Sequence, residues 1–118
     1  MRLNVYWLKP GKEGRVDASN GYNLQGALKA ALGLRQVAII YSGANDEITA
    51  SREQWGDSTN TLAVKPGVVI GYDRNEATNE TLRNHGVDVL EIDGSELVRG
   101  RGGPRCMSMP LDREEIQE

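Results

Sequence analysis

The stretch that decides the fold runs from residue 59 to residue 92. It opens Thr59-Asn60-Thr61-Leu62-Ala63-Val64-Lys65-Pro66-Gly67-Val68-Val69-Ile70-Gly71-Tyr72 and closes Val87-Asp88-Val89-Leu90-Glu91-Ile92. Thr59 to Val64 and Val68 to Tyr72 carry the apolar and β-branched text of strands. Pro66-Gly67 between them suits a type II turn, whose twist fits a tight hairpin poorly, so a longer or bulged connection is expected. Asn75 is placed to cap a helix over Glu76 to His85, and Gly86 to end it. Val87 to Ile92 is the next strand. The strands before and after that helix should lie parallel, joined by a right-handed crossover.

Upstream, Leu3, Val5 and Trp7 alternate with Asn4 and Tyr6, which predicts a half-buried strand over Arg2 to Leu8. Lys9 to Asn20 is polar and glycine-rich, the text of a loop. From Asn20 to Leu32 the residues Leu24, Leu28 and Leu32 share one helical face, and Gly33 stands where a C-terminal cap belongs. Val37 to Tyr41 is a short apolar run with the character of a strand buried on both faces. Residues 1–42 therefore predict a βαβ unit and residues 59–93 a ββαβ unit. Between them, residues 43–58 have no clear period and are expected to be an irregular connection, with Trp55 holding it to the core. Long irregular segments in compact domains often carry function.

Downstream, residues 94–118 hold a cysteine loop and an acidic tail. The loop Gly100-Arg101-Gly102-Gly103-Pro104-Arg105-Cys106 contains the single cysteine, with Arg99, Arg101 and Arg105 close before it. Neighbouring arginines favour the thiolate, the reactive form of cysteine. The glycines permit unusual backbone and close approach of a ligand. Two readings compete with a nucleophile on a mobile cationic loop. A lone cysteine is often a small buried hydrophobe, and Arg-Gly text also marks nucleic-acid-binding tails.

The 118 residues fit one domain, 1–118, with a modest core; phenylalanine is absent. The net charge of −3 gives no support to general binding of nucleic acid or membrane surfaces. One cysteine excludes an internal disulfide framework and a cysteine-based zinc site, and fits a reducing cytoplasm. No metal and no cofactor is expected. The glycines lack the lysine and hydroxyl residue of a phosphate loop. The text holds neither a membrane span nor a signal peptide.

Several separated motifs, in order, resemble the C-terminal part of bacterial arginine deiminases. They are Ser51-Arg52-Glu53-Gln54-Trp55-Gly56-Asp57-Ser58-Thr59-Asn60-Thr61-Leu62-Ala63, Pro66-Gly67-Val68-Val69, Tyr72-Asp73-Arg74-Asn75, Thr78-Asn79, and Gly94-Ser95-Glu96-Leu97 leading into the cysteine loop. The resemblance implies an α/β pentein fold, or α/β propeller, in which five ββαβ units surround a substrate channel. This chain would supply about one and a half to two such modules. It also implies a hydrolase that converts L-arginine to L-citrulline and ammonia through a covalent cysteine intermediate.

By that resemblance Cys106 is the nucleophile and Arg101 helps hold the substrate carboxylate. Asp57, Asn60, Gly102 and Gly103 are expected to shape the site. The family's catalytic histidine lies in a His-x-Asp motif, and no such motif occurs here. The one histidine, His85, ends a predicted helix, where a positive charge suits the helix dipole. The chain alone is therefore expected to be inactive. It should complement the missing N-terminal part of the fold and self-associate through exposed strand edges at Arg2 to Leu8 and after Cys106. The alternative from a different class is a small α/β interaction module with an Arg-Gly nucleic-acid-binding loop.

Overall fold

The computed structural model describes residues 5–21 and 23–114. The described residues are mixed α/β, with two sheets and three α-helices among them, and the chain divides into two compact units, residues 1–39 and 40–118.

In the first unit, β1 (Tyr6–Pro10) pairs antiparallel with β2 (Val16–Asn20), in register from Tyr6↔Asn20 to Pro10↔Val16. A 3₁₀ turn at Lys12–Gly14 reverses the chain, with Glu13 and Gly14 left-handed. Helix α1 (Leu24–Leu32) starts where the Asn23 side chain accepts from the Gly26 N–H at 2.8 Å, and it ends at a left-handed Gly33.

Three expectations are corrected here. The polar segment after Leu8 is not a loop, because it contains β2. Every residue of β2 is exposed, so its text Val-Asp-Ala-Ser-Asn carries no alternation, and backbone pairing alone makes it a strand. The first strand is correspondingly shifted to Tyr6–Pro10; Arg2 to Asn4 lie outside the described residues. Val37 to Tyr41 forms no strand. The Val37 carbonyl instead accepts from Gln25 Nε2 on α1, and among the described residues the segment joins no ladder, so the unit as described is ββα rather than βαβ.

In the second unit, β3 (Leu62–Lys65), β4 (Val68–Tyr72) and β5 (Asp88–Ile92) form one sheet in that order, antiparallel then parallel. The β3–β4 register shifts between Ala63 and Lys65, which is the expected bulge, and Gly67 turns the chain at φ 73°. Helix α3 (Glu76–Asn84) makes the crossover between the parallel strands. It lies on the side of the sheet shown by Val89 and Glu91. Arg83 and Asn79 both bond Glu91, and Asn79 also donates to the Tyr72 carbonyl at 2.9 Å. Alternation then puts Leu90 and Ile92 on the opposite side, where they remain 52% and 38% exposed.

Residues 43–58 are not irregular. A 3₁₀ turn at Ser42–Asn45 leads to helix α2 (Glu47–Trp55), capped by Asp46, whose carboxylate accepts from the Thr49 N–H at 2.7 Å. Periodicity misses α2 because its apolar residues do not face the core. Ile48 and Trp55 are exposed, and its one buried side chain is Glu53, so Trp55 does not hold the segment to the core.

Glu53 also changes how α3 begins. Its carboxylate accepts from the N–H groups of Ala77 and Thr78, each at 2.9 Å, and from the Thr78 hydroxyl. Asn75 stands at the cap position but its amide donates to the Gly56 carbonyl at 2.8 Å and makes no cap bond. A residue on a neighbouring helix thus satisfies the free donors that Asn75 was expected to serve. Gly43 packs against α2 so closely that a Cβ there would lie 2.3 Å from the Ala50 nitrogen.

Cys106 lies within a turn over 104–107, and from there to residue 114 the described residues form no strand, so the strand edge expected after Cys106 is not found among them.

Candidate active site

The site grows from two loops that meet beside β4. The first is the turn after α2. Asp57 adopts φ 56°, accepts the Asn60 N–H at 2.9 Å through its carbonyl, and so aims Asn60 just ahead of β3. Asp57 thus positions Asn60 through its backbone carbonyl.

The second loop is Gly94 to Pro110. Leu97–Gly100 makes a 3₁₀ turn that buries Val98, and Arg101 follows at φ 62°, an uncommon conformation outside glycine. Gly103 then presses on Asn60, where a Cβ would lie 2.5 Å from the Asn60 Cβ and 2.6 Å from its carbonyl oxygen. The turn at 104–107 closes with the Met107 N–H donating to the Gly103 carbonyl at 3.2 Å.

Asn60 and Cys106 come together across that contact. Asn60 Nδ2 donates to Cys106 Sγ at 2.6 Å, while Asn60 Oδ1 accepts from the Cys106 N–H at 3.0 Å. The Asn60 carbonyl also accepts from the Arg105 N–H at 3.3 Å. The thiol remains exposed. A sulfur fixed by a two-point amide clamp and open to solvent can meet an electrophile without first ordering its own loop.

The arginines do not surround the sulfur as their spacing suggested. Arg99 pairs with Glu96 at 2.9 Å, Arg105 donates to the Ser108 carbonyl at 3.1 Å, and the Arg101 guanidinium lies 4.4 Å above the Trp55 ring. Each finds a local partner, and the donor that reaches Sγ comes from Asn60.

Tyr72 is a site residue that sequence reasoning missed. It is 1% exposed, and its hydroxyl donates to the Gly102 carbonyl at 2.8 Å. Gly94 fits flat against its ring, where a Cβ would lie 2.5 Å away. Burial raises the phenol above its ordinary value of 10.0, and the nearby charges of Asp57 and Cys106 push the same way. Tyr72 thus stays neutral and ties the cysteine loop to the central strand. Its place at the end of an apolar strand marks it as core; nothing in that pattern shows its hydroxyl reaching the loop.

His85 is not part of this arrangement. It closes α3, with its Nδ1 at 2.8 Å from the Thr81 carbonyl. Beside the site a cleft of about 240 Å³ is lined by Arg52, Glu53, Trp55, Gly56, Arg74, Asn75 and Val98. Among the described residues no cluster of histidine, cysteine and carboxylate side chains is placed to hold a metal, and no helix is long and apolar enough to cross a membrane.

Comparison with known proteins agrees with the motif order. The family profile described as arginine deiminase matches residues 2–113. The chain is 49% identical over 114 residues to the arginine deiminase of Levilactobacillus brevis and 51% identical over 114 residues to that of Lactococcus lactis subsp. cremoris. It is 50% identical over 115 residues to that of Bacillus cereus strain B4264. Each match covers 97% of this chain and 28% of the relative, so the chain spans little more than a quarter of the length of the curated relatives it matches. A match of this extent and identity places the chain in the arginine deiminase family.

Proposed function

We propose that this chain carries the nucleophile of an arginine deiminase and presents it on a preformed loop. The observation that carries the reading is the clamp of Asn60 on both Sγ and the backbone N–H of Cys106. In this reading the Cys106 thiolate attacks the guanidinium carbon of L-arginine. Ammonia leaves from the tetrahedral adduct and a thiouronium forms on Sγ. Water then adds to that carbon and releases L-citrulline with return of the thiolate. Covalent catalysis of this kind divides one hard displacement into two easier ones. Arg101 is the loop cation for the substrate carboxylate, a role suited to a forked guanidinium.

The acid/base and the carboxylates that grip the guanidinium belong, in this reading, to the remainder of a pentein fold, of which the β3–β4–α3–β5 unit is one ββαβ blade. The exposed apolar side of that sheet, with Leu90 and Ile92, supports contact with such a remainder. Without a positioned acid/base, proton transfer loses about 10²–10⁴-fold. Without a grip on the guanidinium, orientation worth about 7–11 kcal/mol is lost as well.

The test measures citrulline from the purified chain, from its Cys106→Ala variant, and from the chain mixed with the other three-quarters of a family member. Turnover is expected only in the mixture and only with Cys106 intact. Turnover by the chain alone that disappears with Cys106→Ala would overturn the division of labour. A mixture that assembles but makes citrulline equally well with Cys106→Ala would overturn the role of Cys106.

A further inference from the structure

We propose that Trp55 is the positioning residue for Arg101: its indole face is a docking platform that gives the cysteine loop a stacked resting position. Binding of a substrate carboxylate must then compete with that position. The functional consequence rests on the reading of Arg101 given above, whereas the stack itself does not.

The observations converge from both partners. Trp55 ends α2 and is 66% exposed, although it is among the largest apolar side chains of the molecule. An indole left open to water at a helix end offers its face to a cation. The guanidinium above it, 4.4 Å from the ring, comes from Arg101 on the other loop. Arg101 holds φ 62° and ψ 46°, a backbone conformation that a β-carbon disfavours, so something must favour it in return. The residues beside it are fixed independently. The Gly102 carbonyl is held by Tyr72, Gly103 lies on Asn60, and the Arg101 N–H bonds the Val98 carbonyl at 3.0 Å. The loop is therefore tied on both sides of Arg101, and only the side chain is left to choose a partner.

The platform is itself well founded. Glu53, in the same helix, is locked onto the start of α3, so α2 cannot drift and carry Trp55 away. A cation–π contact at an exposed site is weak, while a guanidinium–carboxylate pair is charge-assisted and bidentate. The stack is thus strong enough to bias the free loop and weak enough to yield to a carboxylate.

The experiment uses trypsin nicking of the intact chain after Arg101, with nicking after Arg83, inside α3, as the control for global opening. Trp55→Leu keeps an apolar side chain but removes the ring, and Trp55→Tyr keeps an aromatic face. Exposed cation–π contacts predict nicking after Arg101 faster by about two- to fivefold in Trp55→Leu and largely restored in Trp55→Tyr, with Arg83 unchanged. Equal nicking in the wild type and Trp55→Leu, or no recovery with tyrosine, overturns the proposal. If Trp55→Leu also opens the chain at Arg83, the emission of Trp55 decides. In a Trp7→Phe background, Arg101→Gln must change that emission, and an unchanged spectrum overturns the stack. Citrulline formation in the mixed system separates the two layers. Arg101→Gln with undiminished turnover would remove the substrate role from Arg101 while leaving the stack standing.

Discussion

Asn60 holds Cys106 by two bonds at once, Nδ2 to Sγ at 2.6 Å and Oδ1 to the backbone N–H at 3.0 Å, although 46 residues separate them in the chain. A single side chain thereby fixes both the position of the sulfur and the orientation of the peptide that carries it.

Asn60→Asp keeps the acceptor for the Cys106 N–H, removes the donor to Sγ and sets a carboxylate against the sulfur. Hydrogen bonds to charged groups contribute about 1.5–3 kcal/mol, and each 1.4 kcal/mol is about tenfold in rate. Alkylation of Cys106 by iodoacetamide at fixed neutral pH is expected to slow by about tenfold or more. An unchanged rate would show that the clamp does not govern reactivity.

Gly103→Ala introduces a β-carbon 2.5 Å from that of Asn60, with backbone on one side and no flexible side-chain end to give way. Overpacking of this kind costs about 1–3 kcal/mol. The variant should unfold at lower denaturant with an unchanged slope, whereas Gly100→Ala, which meets nothing within 4 Å, should not.

Glu53→Ala strips the first turn of α3 of its acceptor and leaves the Ala77 and Thr78 N–H groups without it. Buried donors left unsatisfied cost about 1–3 kcal/mol each. Equilibrium unfolding should report a loss of about 3 kcal/mol, and hydrogen exchange should show the first amides of α3 opening before those of β4.

The Glu91 carboxyl lies below its ordinary value of 4.5, chiefly because Arg83 bonds it, with Asn79 adding to the effect and desolvation opposing it. A carboxylate depressed in the folded state contributes stability above its unfolded value, and that stability is lost as pH falls through the folded value. The wild type should therefore lose stability below about pH 4.5, and Glu91→Gln should lose less across that window. Both side chains of the pair are more than a third exposed, so salt should shrink the difference.

The second unit was legible in the sequence where side-chain pattern and burial agree. The β3–β4 connection with its bulge, the crossover helix and the parallel strand after it stand much as the text from 59 to 92 predicts. Where burial runs through polar groups or backbone, the text is silent. Helix α2 has no apolar stripe because its contact with the core is a carboxylate, and β2 has no alternation because neither face is covered. The apolar run at Val37 to Tyr41 misled for the converse reason: it is hydrophobic but pairs with no strand among the described residues. Cys106 and Asn60 were visible as candidates through the family motif. The hydroxyl of Tyr72 and the face of Trp55 were not, because residue type announces packing and says nothing of which loop will come to rest there.

The bond from Glu53 to the start of α3 has a consequence for the order in which the chain folds. Thr78 follows Glu53 by 25 residues, and the hairpin β3–β4 lies between them. A nine-residue helix with no apolar stripe is not stable by itself in water. As the polypeptide leaves the ribosome, α2 emerges early but has nothing to dock on until the hairpin has closed and the first turn of α3 has appeared. Its formation is a late event set by loop closure rather than by local propensity. A released chain ending at Ala77 should therefore be cut freely by trypsin at Arg52, whereas the full chain, in which Glu53 has the first turn of α3 to dock on, should resist cutting there.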